Sequence, residues 1–340
     1  MTEFWQITFP MPGNSERAAR AAEDHGWDGL YFADTQCLSG DIYSAMCLAA
    51  KATSRLKVGT AVTNPVTRLP AVTASAIATV QVESGGRAVV GIGRGDSSLG
   101  YLGQKPAGAK RLEVYLQQLQ TYLRGEPVDL DGYESRIAWI AGSGQPKVPV
   151  DVASTGPRVI AMAGRLADRI TFAMGADPTR IAAGVTAARQ AAREAGRDPA
   201  ELSFGAYVNV ACDDDMQRGI DVVRGSTGTF AHFSGMSSAA CDGLQDAAVF
   251  QHIGENYDMA NHASGKAAHM QAVSDDFVAR FAVVGPAAYC VERLRELIDQ
   301  GLDRLVLLTG SRDADPAHVA ASMERLGHEV IPELRQGASG

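Results

Sequence analysis

Short apolar segments alternate with helix-like segments along the chain, and this alternation constrains the fold more than any other feature. Each apolar segment has the length of a buried strand, and the stretch after it has the periodicity or the capping signals of a helix. Eight such units most simply close into one (β/α)8 barrel, a TIM barrel of the α/β class. We therefore predict a single domain over residues 1–340, with strands at residues 4–9, 29–33, 56–63, 88–92, 148–153, 169–173, 204–211 and 304–308.

One connection is too long for a minimal barrel. Roughly 90 residues, 212–303, separate the seventh and eighth predicted strands, whereas most connections have about 2 to 6. Because this segment follows a strand end that faces the active-site side of a barrel, we predict a large, mostly helical insertion that acts as a lid and contributes to the substrate pocket. Its aromatic and methionine side chains are equally explained as the core of extra helices. A small hairpin is predicted at residues 127–139, around Asp131-Gly132.

The predicted lid holds four of the seven histidines: His232, His252, His262 and His269. Their spacing matches no H-x-x-x-H pattern and acidic residues are not arranged around them, so we predict no metal site. The five cysteines are odd in number and form no C-x-x-C pair, which argues against a disulfide framework and a zinc site.

Composition narrows the choice of partners. The net charge of -8 and the lack of a basic run argue against nucleic acid and anionic membranes as partners. No 18-residue apolar run and no basic leader occur. We therefore expect a cytoplasmic protein whose partner is a small molecule.

A glycine-rich stretch, Gly91-Ile-Gly-Arg-Gly-Asp-Ser-Ser98, directly follows a buried strand. Glycines allow a large planar ligand to approach the backbone closely, so this strand is predicted to end at an active site with Asp96 at its rim. A tight turn between a strand and a helix explains the same glycines. The spacing does not fit the G-x-G-x-x-G pattern of dinucleotide-binding folds.

Four segments carry a shared pattern in order along the chain: Lys57-Val-Gly-Thr-Ala-Val-Thr-Asn-Pro65, Arg68-Leu-Pro-Ala-Val-Thr-Ala-Ser-Ala-Ile-Ala-Thr79, the glycine-rich stretch 91–98 and Ala153-Ser-Thr-Gly-Pro-Arg158. Together they resemble the bacterial-luciferase-like superfamily, and within it the branch that uses the deazaflavin coenzyme F420. That branch includes methylenetetrahydromethanopterin reductases and F420-dependent glucose-6-phosphate and alcohol dehydrogenases. The resemblance runs over nearly the whole chain and implies an oxidoreductase on a TIM barrel.

The resemblance also implies positions for the cofactor. Ala61 and Val62 match a cis peptide behind the deazaflavin ring, and Asp34 and Asp96 match acidic positions near the ring and the substrate. The implied cofactor-binding set is Asp34, Thr60, Ala61, Val62, Gly93, Asp96, Ser98, Thr155, Gly156, Pro157 and Arg158.

Residues 155–158 match the phosphate-binding turn of the family. A helix start, a threonine hydroxyl and a guanidinium would converge there on one anion. An ordinary helix cap is the alternative interpretation, and Arg94 is a rival cation.

The chain departs from the dehydrogenases at one position. Where they have a histidine base after the aspartate of the second strand, this chain has Thr35-Gln36. A threonine hydroxyl cannot accept a proton near neutral pH. We therefore predict a reductase that transfers hydride from reduced F420 to a C=C, C=N or C=O bond.

The accompanying proton is expected from an acid. The first candidate is Asp96 and the second is Asp34, with Glu134 or Tyr101 as substitutes. If this assignment fails, the base is expected among the histidines between residues 232 and 269. Each carboxylate is equally explained as an ion-pair partner or a helix cap.

Two other functions remain open. One is an FMN-dependent monooxygenase of the same superfamily, since the cofactor decides the reaction class. The other is a barrel that binds a ligand without catalysis. The resemblance also implies a homodimer, for which the Ala-rich helix at residues 71–82 would supply part of the surface.

Overall fold

Eight parallel strands form a closed ring in the computed structural model, which describes residues 1–236 and 244–336. Strands are numbered in chain order, and each ring strand pairs with the next, the last pairing with the first. The predicted TIM barrel is therefore confirmed. The ring consists of β1 (Glu3–Thr8), β2 (Gly29–Phe32), β3 (Lys57–Thr60), β4 (Ala88–Ile92), β7 (Val150–Ser154), β8 (Arg169–Phe172), β9 (Ser203–Cys212) and β11 (Arg304–Leu308).

Three further strands lie outside the ring. β5 (Val128–Leu130) and β6 (Tyr133–Ser135) form an antiparallel hairpin. Asp131 and Gly132 have positive φ at its turn, which confirms the predicted excursion. β10 (Val283–Gly285) runs parallel to the end of β9.

Helices surround the ring. Aspartates cap several of them, because their carboxylates accept hydrogen bonds from backbone N–H groups of the first turn. Asp177 does so before α7 and Asp215 before α8. The helices are α1 (Ser15–Asp24), α2 (Ile42–Ala52), α3 (Pro70–Glu83), α4 (Ser97–Gly100), α5 (Ala109–Leu123), α6 (Pro157–Leu166), α7 (Pro178–Glu194), α8 (Met216–Gly235), α9 (Ala247–Asn256), α10 (Asp275–Phe281), α11 (Ala287–Ile298), α12 (Pro316–Arg325) and α13 (Ile331–Gln336).

The predicted lid, residues 212–303, divides between two layers. α8, α9 and α10 pack on one another beside β9 and β10. α11 instead buries Cys290, Leu294 and Leu297 in the apolar layer between the ring and its outer helices. Residues from α11 onward therefore belong to the barrel wall, because their apolar face is covered by the barrel itself.

The barrel interior is filled at the end where the strands begin. Trp5 and Tyr31 stack with ring centroids 4.4 Å apart, and the Tyr31 hydroxyl donates to the carboxylate of Asp151 at 2.8 Å. Asp151 is also paired with the fully buried Arg304 at 3.0 Å. A side chain on Gly29 would place its Cβ 2.3 Å from the Trp5 ring. Large side chains and glycines therefore fill this end of the barrel, and a large cavity opens at the opposite end.

The helices and the cysteines bear on two points raised by the sequence, membrane insertion and disulfide bonds. Within the described ranges, no helix is long and apolar enough to cross a membrane. The cysteines of this part, Cys37, Cys47, Cys212 and Cys290, are free thiols, and Cys241 lies outside the described residues.

Candidate active site

A cavity of about 1240 Å³ opens at the carboxyl ends of the strands. Residues that follow the ring strands form its floor and rim, and one face of α8 forms a side wall. Of the predicted cofactor-binding residues, the lining includes Asp34, Ala61, Val62, Gly93, Asp96, Ser98, Thr155, Gly156, Pro157 and Arg158. Ten of the eleven predicted cofactor-binding residues therefore line one cavity.

The chain leaving β3 lies directly against β4. The Ala61–Val62 peptide bond is cis, as the resemblance implies. A Cβ on Gly93 would come within 2.9 Å of the Val62 side chain. Gly93 therefore leaves room for Val62 to line the cavity.

Thr60 occupies a different place from the predicted one. It is fully buried, does not line the cavity, and its hydroxyl donates to the carbonyl oxygen of Gly91 at 2.6 Å. Thr60 therefore supports the wall from behind.

Asp34 is held by a cation. Its carboxylate accepts a short hydrogen bond from Arg68, whose guanidinium lies 5.1 Å from the centroid of the Tyr43 ring. Arg68 also lies 3.8 Å from Asp41. The Asp34 side chain is only 4% exposed. This carboxylate is therefore neutralised within the protein.

Asp96 has a different environment. Its Oδ1 lies 3.2 Å from Nε2 of His232 on α8. Its Oδ2 is buried and has no hydrogen-bond partner within the described part of the chain, and the same holds for Nδ1 of His232. Asp96 lines the cavity and its side chain is 16% exposed, but the unpartnered Oδ2 is itself buried from solvent.

An aromatic stack holds the His232 ring. Tyr257 lies against one face at 4.0 Å between centroids and 17° between planes, and His269 lies 4.3 Å from the Tyr257 ring. The Tyr257 hydroxyl is 2.9 Å from Nδ1 of His262, which lines the cavity. Burial raises the pKa of Tyr257 and lowers the pKa of His262 and His269.

Glycines in α8 explain how closely this helix packs against the segment 257–270. A Cβ on Gly225 would lie 2.2 Å from the Ala263 carbonyl oxygen, and one on Gly228 would lie 2.2 Å from the Met270 sulfur. His232 follows Gly228 at helical spacing and shares this packed face. The neighbouring face, with Thr229 and Phe230, lines the cavity.

Thr35 and Gln36 bind the turn that begins α4. The Thr35 hydroxyl is 3.3 Å from the Ser97 hydroxyl, and Nε2 of Gln36 donates to the Ser98 carbonyl oxygen at 2.6 Å. Asn64 donates to the Ser98 hydroxyl at 3.1 Å. Thr35 and Gln36 therefore connect the loop after β2 to the loop after β4.

Residues 155–158 lead from β7 into the start of α6 at the cavity rim. Gly156 caps the helix, Pro157 follows, and the exposed Arg158 has no ion pair among the residues the structure describes. The rival cation Arg94 also lines the cavity, but its Nε donates to the Ala107 carbonyl oxygen at 2.6 Å. Arg312 lies on the rim beside α8 and donates to the Ala260 carbonyl oxygen at 2.8 Å.

Two substitute acids lie away from the cavity lining. Glu134 is exposed on β6, and Tyr101 follows α4 as a half-buried residue. Within the described residues, no group of three or more His, Cys, Asp or Glu side chains is arranged to hold a metal ion.

The model of the luciferase-like monooxygenase family matches residues 10–304. The chain belongs to this family. The finding confirms the resemblance carried by the four segments.

Two curated relatives align with most of the chain. A 5,10-methylenetetrahydromethanopterin reductase from Methanolobus tindarius is 28% identical over 305 residues, which cover 85% of this chain and 87% of the relative. An F420-dependent glucose-6-phosphate dehydrogenase from Beutenbergia cavernae is 28% identical over 301 residues, covering 84% and 81%. Among solved structures, the coenzyme F420 dependent tetrahydromethanopterin reductase from Methanopyrus kandleri has a TM-score of 0.76 at 23% identity, covering 98% and 99%.

The lowered pKa of His262 and His269 generates a prediction about stability. As the pH falls from about 7 to 5, an unfolded histidine binds a proton before these buried ones do, so the unfolded state gains stability. The free energy of unfolding is therefore expected to decrease, and to decrease less in His269→Asn, whose amide can still accept the Asp258 N–H. Urea unfolding at both pH values measures this.

The exposed His318 provides the control, and His318→Asn is expected to follow the wild type. An equal decrease in the wild type and in His269→Asn would contradict the prediction.

Proposed function

We propose that the protein is an F420-dependent reductase. The observation that carries this proposal is that relatives aligned with most of the chain include F420-dependent enzymes by name, the first of the curated ones being a reductase. The cavity supports it, because ten of the implied cofactor-binding residues line one continuous surface.

The residues present fit a deazaflavin. A cavity of about 1240 Å³ exceeds the roughly 300 to 1,000 Å³ of a pocket for one small ligand. It therefore has room for a cofactor and a substrate. The wall formed by Ala61, Val62 and Gly93 would hold the planar ring, and a Cβ on Gly93 would disturb that wall.

The turn at residues 155–158 would hold the phosphate of the cofactor. The first turn of a helix presents backbone N–H groups without intrahelical partners, and these favour an anion. Arg158 adds a guanidinium that no carboxylate neutralises within the described residues. Arg94 is less available, because Ala107 already accepts one of its N–H groups.

Reduced F420 supplies a hydride when bound, and the protein must then supply a proton to the substrate. Asp96 is the better donor of the two predicted aspartates. Asp34 already accepts a hydrogen bond from Arg68, whereas Oδ2 of Asp96 lacks a partner in the described structure. The substrate class is a compound with a polarised C=C, C=N or C=O bond.

The cofactor assignment is tested by calorimetric titration of the purified protein with F420 and, separately, with FMN. F420 is expected to bind, and Arg158→Ala is expected to weaken its binding about 10- to 100-fold, the scale of a hydrogen bond to a charged group. Arg165→Ala is the matched control, since Arg165 lies at the other end of α6 and pairs with Glu113.

Binding of FMN in place of F420 would favour the monooxygenase, and binding of neither would favour the non-catalytic barrel. Unchanged F420 affinity in Arg158→Ala would refute the phosphate site.

The proton donor is tested by Asp96→Asn. An amide cannot deliver the proton, so turnover of an unsaturated or imine substrate with reduced F420 is expected to fall about 100-fold or more, while the affinity for F420 changes little. Stopped-flow oxidation of the reduced cofactor measures the first quantity, and calorimetry the second.

The direction of transfer is part of the same prediction. Oxidation of simple alcohols or glucose 6-phosphate is expected to be negligible, because Thr35 and Gln36 provide no base. Full turnover in Asp96→Asn, or efficient oxidation of glucose 6-phosphate by the wild type, would contradict these assignments.

We further propose that two copies associate through α2, α3 and α5. These adjacent helices expose apolar side chains on one side of the barrel, with Leu69 at 71% and Val72 at 53% exposure. The free thiols fit a reducing compartment such as the cytoplasm, which we propose as the location.

The oligomeric state is tested by sedimentation at micromolar concentration. The wild type is expected to sediment as a dimer, and Leu69→Asp with Val72→Asp as a monomer, because two charges would be buried unpaired. Leu130→Asp, on the exposed hairpin, is expected to remain dimeric. A monomeric wild type would rule out the proposal.

A further inference from the structure

Asp96, the proposed proton donor, is in contact with the imidazole ring of His232. These residues are 136 positions apart and belong to different parts of the fold. Their side chains are only 16% and 10% exposed. An ionised carboxylate can only accept a hydrogen bond, so His232 carries its proton on Nε2 when Asp96 is charged.

His232 does not reach the cavity itself. It is absent from the cavity lining, and it lies on the face of α8 that packs against the segment 257–270. The ring of Tyr257, stacked at 4.0 Å, restricts the orientation of the imidazole. Any effect of His232 on a bound substrate must therefore act through Asp96.

We propose that His232 is a positioning residue for proton delivery by Asp96. The inference rests on the proposed function. Its Nε2–H holds Oδ1 and so fixes the orientation of the carboxyl group at the cavity wall, where Asp96 delivers the proton. An imidazole can also take up and release a proton beside this carboxyl group, which a side chain that does not titrate cannot do.

The chemical balance is simple. The O–H bond of Asp96 breaks, the proton forms an O–H, N–H or C–H bond on the substrate, and the electron pair stays on Asp96. The two electrons that reduce the substrate come with the hydride of the reduced deazaflavin. His232 donates to the resulting carboxylate, and solvent restores one proton to the pair.

The charged and titratable groups around His232 support this assignment. Asp96 is the carboxylate that contacts it within the described residues. The segment after α9 contributes Tyr257, His262 and His269, and burial lowers the pKa of these two histidines, so they add little positive charge near neutral pH. More distant groups interact electrostatically with these three side chains: Tyr101 with Tyr257, Asp258 with His269, and Arg312 with His262. On α8 itself, Ser234 accepts a hydrogen bond from Arg180.

Two variants separate the hydrogen bond from the charge. His232→Gln keeps an N–H donor that does not titrate, and His232→Leu removes it. Near neutral pH, kcat is expected to fall about 10- to 100-fold in both, with KM unchanged. Towards pH 5, H232Q is expected to regain rate and H232L is not, because only H232Q still orients the carboxyl group of Asp96.

The pH profile gives the decisive comparison. The pH dependence of kcat is expected to differ between H232Q and the wild type, because only the wild type has a ring that can take up a proton beside Asp96. Superimposed profiles, or wild-type kcat in H232L, would overturn the proposal. Recovery of H232L at acid pH would overturn the orienting role.

A second readout needs neither cofactor nor substrate. Proton NMR of the protein alone is expected to show a downfield imidazole N–H resonance that disappears in H232Q and in D96N. His269→Asn is the matched control, since His269 stacks on the other side of Tyr257 and does not contact Asp96. A resonance that survives in D96N would overturn the proposal, whether or not F420 is the cofactor.

Discussion

The site depends on two glycines that carry no side chain, Gly91 in β4 and Gly93 just after it. A Cβ on Gly91 would lie 2.0 Å from the Thr60 carbonyl oxygen, and one on Gly93 would lie 2.9 Å from Val62. Any other residue at these positions would push the chain leaving β3 away from its neighbour. The close approach places the Ala61–Val62 peptide and Asp96 on the same floor. The other residues that line the cavity surround this floor.

The two ends of the barrel have opposite physical character. At the end where the strands begin, Trp5, Tyr31 and Arg304 fill the interior, and Asp151 compensates the buried guanidinium. Removing one partner of such a pair would leave a buried charge without compensation. At the other end, glycines and small residues leave space. Stability and chemistry are therefore separated along the barrel axis.

The sequence predicted the barrel because local hydrophobic patterns determine strands, and eight strands in sequence leave few ways to close a sheet. β4 and β11 lie at the predicted residues, and the other ring strands differ by a few residues at their ends. The glycine-rich turn and the turn at residues 155–158 were predictable for the same reason. Each is a local pattern at a strand end.

The contacts within the site were not predictable in this way. The pair of Asp34 with Arg68 and the contact of Asp96 with His232 join residues that are 34 and 136 positions apart. The sequence showed histidines in the segment after β9, but no spacing indicated which one would face Asp96. Thr60 was assigned to the cavity because its neighbours were, although alternation along a strand can turn one residue inward and the next outward.

α8 has two faces that tolerate change differently. Along one face, Gly225, Gly228 and Gly235 lie against other parts of the chain, and the Cβ of Gly235 would come within 2.0 Å of the Phe250 carbonyl oxygen. Along the other, Phe230 and Phe233 line the cavity, as does Thr229, whose hydroxyl also lies 3.1 Å from the Tyr257 hydroxyl. Substitutions on this second face can reshape the pocket without moving the helix. Natural variation and laboratory selection for new substrates should therefore accumulate there, while the glycine face stays fixed.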